Sequence, residues 1–292
     1  MRFSFWPNPR SPWADLLELC EHAERSGWDG LWYADHFMPS TLDNGGPTNE
    51  SWTFVSALGV RIPRLRIGHL VCGNTYRHPA VLAKMATGVD HLCGGRFVLG
   101  LGAGWQENEH RAYGIPLYEV GERLSRLDEA CHVVRGLLRE ERTTFAGKYY
   151  QVEDAPLNPK PVQPRLPIMI GGGGERVTLR ITARHADEWN VWGTPDVLKQ
   201  KMKILDRHCA DLGRDPREIQ RSAVALVDFG DAGQPNLPLP ATIGPGLEGI
   251  RCAIDAFREG GVDEFIVPDF NLGVTVDDRK RLMDRFREQV LA

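Results

Sequence analysis

The feature that most constrains this chain is an alternation, repeated eight times, of a short apolar run with a longer stretch of helical periodicity. Residues 2–6, 30–34, 66–71, 96–101, 167–170, 188–192, 219–227 and 264–267 read as strands. Helical patterns lie between them, at 51–61, 79–93, 119–139, 175–185, 195–212 and 247–258. The first helix runs from Pro12 to Gly27, with Ser11 as its cap and Pro12 at its first helical position. The last carries Leu282, Phe286 and Val290 at i, i+4 and i+8. Strands separated by helices pair in parallel, and eight such units predict an α/β chain folded as one (β/α)8 TIM barrel over residues 1–292. The 292 residues allow about 36 per unit, enough for a strand, a helix and two loops. An open, doubly wound eight-stranded sheet is the competing architecture.

Two insertions interrupt the repeat, near 140–166 and 228–246. Thr143 to Tyr150 reads as a small hairpin, followed by a stiff segment with Pro156, Pro159, Pro161, Pro164 and Pro167. By counting, this insertion lies between a helix and a strand, on the far side from a barrel's working end. The second is rich in Gly and Pro and lies on the working side. A net charge of −4 gives a nucleic-acid partner no electrostatic support. No apolar run reaches the ~18 residues of a membrane span. The N-terminus reads as a strand rather than a signal peptide, and six cysteines without a C-x-x-C pair make no disulfide scaffold. A cytoplasmic location is the expectation.

A barrel works at the carboxyl ends of its strands. There this sequence places Asp35-His36, Cys72-Gly73-Asn74-Thr75, Gly102-Ala103-Gly104-Trp105 with Glu109-His110, Gly171 to Gly174, and Trp192-Gly193-Thr194. The four-glycine run leaves a strand and enters a helix, so its bare backbone N–H groups and the helix dipole predict a phosphate cradle, with Arg176 adding charge. A flexible turn is the plainer reading. Gly100 to Gly104 does not fit G-x-G-x-x-G, and neither a P-loop nor a G-x-S-x-G elbow is present. His36 is a candidate for proton transfer or cofactor placement. No H-x-H or H-x-x-x-H pattern supports a metal, and none is expected. Trp105 and Trp192 are candidates to line a substrate pocket, whereas Trp189 reads as core.

On these residues the chain resembles the luciferase-like monooxygenase superfamily and, more narrowly, its coenzyme F420 (deazaflavin)-dependent oxidoreductases from actinobacteria. The carriers are Trp32 to Phe37, Gly73 to Pro79, Gly100 to Trp105 with Glu109-His110, Gly171 to Gly174 with Thr178-Leu179-Arg180, Ala186 to Asn190, and Gly260 to Asp263. The resemblance implies a (β/α)8 barrel, and a deazaflavin ring held near Asp35, His36 and the end of the third strand. It also implies a non-proline cis peptide behind the ring, at Leu70–Val71. The cofactor phosphate is implied on Gly171, Gly172 and Gly173 and on Gly102-Ala103. A homodimer is consistent with the resemblance. One departure stands out: the sugar-phosphate dehydrogenases of that family carry a catalytic Glu where this chain has Trp105, which points to an apolar small-molecule substrate.

Three functions compete. The first is hydride transfer between coenzyme F420 and an organic substrate, with His36 catalytic. The second is a monooxygenase using reduced flavin mononucleotide (FMN) from a separate reductase. The third is a non-catalytic cofactor-binding protein. The anionic tail of F420 needs nearby cations, for which Arg77, Arg176 and Arg180 are the sequence candidates.

Overall fold

The computed structural model describes residues 1–40, 46–231 and 241–291. Eight parallel strands close into a barrel: Arg2–Trp6, Gly30–Tyr33, Arg66–His69, Phe97–Gly102, Ile168–Gly171, Glu188–Trp192, Gln220–Val224 and Glu264–Pro268. The ring shuts where the first strand pairs the eighth (Ser4 opposite Ile266) and the third pairs the fourth (Ile67 opposite Phe97). The open-sheet alternative is thereby excluded. After two residues the third strand resumes at Cys72–Gly73, against Leu101 and Gly102.

Local chemistry explains some element boundaries. The helix Ser51–Arg61 starts where expected because the Glu50 carboxylate accepts the amides of Trp52 and Thr53 at 3.1 and 2.7 Å. The first helix is different. It begins at Trp13 with Pro12 as its cap residue and no side-chain cap bond. Ser11 is engaged elsewhere: Arg279 donates to its hydroxyl at 3.1 Å and Asn49 to its carbonyl at 2.8 Å. The helix expected from Glu175 begins only at Thr178.

Two cores result. The larger lies between the strands and the helices outside them. The smaller fills the barrel with Trp6, Trp32, Ala34, Leu70, Val98, Met169, Val224 and Ile266. The amino end of the barrel is closed by charge. Arg66 bridges Glu264 at 3.0 Å and Glu188, Arg2 meets Glu264 at 3.2 Å, and Trp32 Nε1 donates to Glu264 at 2.8 Å.

The first insertion forms the expected hairpin, with arms Arg142–Ala146 and Gln151–Pro156. It does not stay on the far side. The Glu129 carboxylate accepts the amides of Lys148, Tyr149 and Tyr150 at 2.9, 2.8 and 3.0 Å, which folds the turn back along the helix Val120–Arg139. Tyr150 thereby reaches Asn74, whose amide donates to its hydroxyl at 3.3 Å, just past the third strand. Residues 232–240 of the second expected insertion lie outside the described residues. No described helix is long and apolar enough to cross a membrane.

Candidate active site

The carboxyl end of the barrel is organised around one buried carboxylate, Glu109, on the short helix Glu107–Tyr113 after the fourth strand. His36 Nδ1 lies 2.7 Å from Glu109 Oε1. Oε2 accepts the amides of Phe37 at 2.6 Å and Met38 at 3.1 Å, and the Tyr76 hydroxyl donates to Oε1. Burial works to raise the Glu109 pKa. The hydrogen bond and charge of His36, together with Tyr76 and the Phe37 amide, outweigh it and hold the group below its ordinary value. An ionised carboxylate only accepts, so His36 Nδ1 must carry a proton and Nε2 presents its lone pair in the neutral ring. Among the described residues Nε2 has no protein partner.

Sequence reasoning noted Glu109 among the polar residues after the fourth strand and gave it no role. It is 73 positions from His36, and no local pattern joins them. Tyr76, Thr75 and His110 complete the same cluster: His110 stacks on Tyr76 at 4.9 Å and hydrogen-bonds Thr75 at 2.7 Å.

Asp35, beside His36, is 1% exposed. Arg77 grips it through two bonds, at 2.6 and 3.2 Å, and also reaches Glu50 at 3.2 Å. Burial still raises the Asp35 pKa despite Arg77. Arg77 is therefore committed to this network rather than held ready for an anionic tail. Arg176 and Arg180 are exposed.

The Leu70–Val71 bond is cis. Val71 packs across the next two strands, and this accounts for several glycines. A Cβ on Gly102 would stand 2.7 Å from Val71 Cγ2, and one on Gly171 2.9 Å from Val71 Cγ1. One on Gly100 would stand 1.9 Å from the His69 carbonyl oxygen. Gly172 has φ +126°, its N–H donates to the Asn190 carbonyl at 2.9 Å, and its own carbonyl accepts from Trp189 at 2.8 Å. A Cβ on Gly173 would meet Val191 at 2.9 Å. The glycine run is thus required by packing, and the Gly172 amide is already used by the sixth strand. Substituting Gly172 or Gly173 would disturb the fold together with any cradle.

An aromatic rim surrounds His36. Trp105 meets its ring edge-on at 5.4 Å and is 61% exposed. Phe37 touches Tyr76 at 4.8 Å and Tyr113 at 5.7 Å. Trp192 packs on Trp6 at 5.7 Å, and Trp6 on Phe270 at 5.1 Å. Trp189 is fully buried, as expected of core. Two buried polar atoms at this end, Trp6 Nε1 and Asn74 Oδ1, have no protein partner among the described residues.

A family profile described as luciferase-like monooxygenase matches residues 1–231. A curated relative from Microbacterium testaceum (strain StLB037), an F420-dependent glucose-6-phosphate dehydrogenase, is 36% identical over 219 residues, 74% of this chain and 64% of its own length. The chain spans only part of the length of curated relatives it matches, 48% and 64% for two of them. An F420-dependent secondary alcohol dehydrogenase, solved with an F420-acetone adduct, superposes with TM-score 0.84 at 20% identity, covering 99% of this chain and 98% of its own. The monooxygenase RslO1 from Streptomyces bottropensis gives 0.79 at 20% identity, covering 100% and 99%. At such identities these solved structures speak for the fold.

Proposed function

Because the chain belongs to the luciferase-like monooxygenase family, we propose that it is an oxidoreductase passing a hydride between coenzyme F420 and an apolar organic molecule, with His36 handling the proton. The observation that carries this reading is the His36–Glu109 pair at the carboxyl end of the barrel. A histidine whose Nδ1 is held by a carboxylate presents Nε2 in a fixed tautomer and direction. Nε2 takes the proton that leaves the substrate as a hydride leaves its carbon, and returns it in the reverse direction. Glu109 stabilises the imidazolium in between. Tyr76 and two backbone amides keep that carboxylate in place.

The structure offers a fitting floor for a flat polar ring. Val71 packs over Gly102 and Gly171 at the strand ends, and Trp6 Nε1 and Asn74 Oδ1 are buried polar atoms without a protein partner among the described residues. Asp35, His36, Leu70 and Val71 would bound the ring, and Gly102, Ala103, Gly171, Gly172 and Gly173 the phosphate region. When bound, the deazaflavin supplies or accepts the hydride. The curated F420-dependent relative supports deazaflavin over FMN. Trp105, with Trp192 deeper in the mouth, favours an apolar substrate over a sugar phosphate, because an exposed indole offers no anion a counter-charge.

Calorimetric titration with F420 and with FMN, each followed by turnover, tests this reading. Tighter binding of F420 is expected. A clear preference for FMN would transfer the protein to the monooxygenases that use reduced flavin and oxygen. Tight F420 binding without hydride exchange toward any of a panel of apolar alcohols and enones would favour a cofactor carrier.

A further inference from the structure

Away from the mouth, two helices bring together three metal-ligand side chains that hydride transfer does not use. Asp128 and His132 lie one turn apart on the helix Val120–Arg139 and share a face. His185 ends the neighbouring helix Thr178–His185. A donor atom from each lies within 4.8 Å of the others. His185 Nε2 is 2.8 Å from Asp128 Oδ1, and the His132 and His185 rings meet edge-on at 4.4 Å. His185 leads into the sixth strand at its amino end, so the cluster lies toward the opposite end of the barrel from His36.

We propose that Asp128, His132 and His185 bind a divalent transition-metal ion of the zinc class on the outside of the barrel. Two imidazoles and a carboxylate are ligands this class accepts, with water in the fourth position. Zinc bonds of roughly 2.0–2.1 Å in a tetrahedron set ligand atoms about 3.3 Å apart. Asp128 and His185 are already near that spacing. His132 is exposed and closes the remainder by side-chain rotation. When Nε2 turns from Asp128 to the metal, the imidazole proton moves to Nδ1, a buried atom with no partner among the described residues.

The site has a resident competitor. Arg184 reaches Asp128 Oδ1 at 3.0 Å and Oδ2 at 2.7 Å. Its side chain is 35% exposed, so it can swing to solvent. This makes a prediction that a purely structural cluster does not make. If the three residues serve only to pack the helices, Arg184 is an asset. If they bind metal, Arg184 opposes the ligand.

The test is zinc chloride titrated calorimetrically into the metal-free protein, in a Cys252→Ser background because Cys252 is an exposed thiol. One zinc per chain is expected. His132→Ala should weaken binding roughly tenfold or more, and Arg184→Gln should tighten it. Circular dichroism checks that both variants fold, and turnover should stay at the parental value. Zinc bound as tightly by His132→Ala as by the parent would overturn the proposal. So would weaker binding by a folded Arg184→Gln, or no binding by the parent at all.

Discussion

Both ends of this barrel bury carboxylates, but they settle them differently. At the amino end Glu264 and Glu188 are answered by Arg66 and Arg2, with Trp32 and Ser4 completing the set around Glu264. Each carboxylate has an arginine opposite it, although Arg2 Nε is buried without a partner among the described residues. At the carboxyl end Glu109 is answered by two amides, a phenol and one side of an imidazole. The other side of that imidazole has no partner among the described residues. The first arrangement pairs charge with charge. The second holds one imidazole in position, as the proposed proton transfer requires.

The sharpest way to break the comparison is His36→Ala. Single-turnover hydride transfer at saturating cofactor should slow by roughly 10²–10⁴-fold, the range of a positioned acid or base. The melting temperature should fall modestly, because Glu109 loses His36 but keeps Tyr76 and two backbone amides. A rate within a few-fold of the parent would make His36 a mere wall of the site. At the opposite end, Glu264→Ala should leave Arg66 and Arg2 facing a lost partner and cost about 3–5 kcal/mol in denaturant unfolding. Residual folded enzyme should turn over normally. A loss under 1 kcal/mol would mean that the amino-end network is not what closes the barrel.

Glu109→Gln sharpens the contrast with a smaller effect. An amide can donate to Nδ1 and so favours the wrong tautomer. By analogy with partners that orient ligating histidines, the turnover loss is roughly 10–100-fold. The pH dependence has a definite sign. A carboxylate held below its ordinary pKa contributes stability that is complete above the unfolded value and lost as pH falls through the folded one. In Glu109→Gln that part of the acid limb should vanish from the stability curve below about pH 4, near the ordinary glutamate value. An unchanged limb would show that Glu109 is not held ionised.

The repeat of strands and helices was legible because burial imposes its period residue by residue. The barrel, the helix Ser51–Arg61 and the buried Trp189 followed from that pattern. The cis bond at Leu70–Val71 was legible through family resemblance alone, since no local propensity marks it. Pairings across the barrel were not legible. Glu109 meets His36, and Tyr150 meets Asn74, only once the strands have closed. Local rules also lost to distant partners: Ser11 has a capping side chain, yet Arg279 claims it from the other end of the chain. The glycine run looked like backbone bared for a ligand. Much of it is backbone bared for Val71, Val191 and a positive φ.

That last feature imposes an order on how such a sequence can drift. The γ-carbons of Val71 fill the space that a methyl at Gly102 or Gly171 would need. Alanine at either glycine is barred while valine stands at 71, and is open once a smaller residue has taken its place. Shrinking residue 71 first leaves only a small void, whereas enlarging a glycine first forces a collision. The three positions are therefore a ratchet with one permitted direction of entry. Descendants of this chain that keep valine at 71 will keep their glycines whether or not they keep its cofactor.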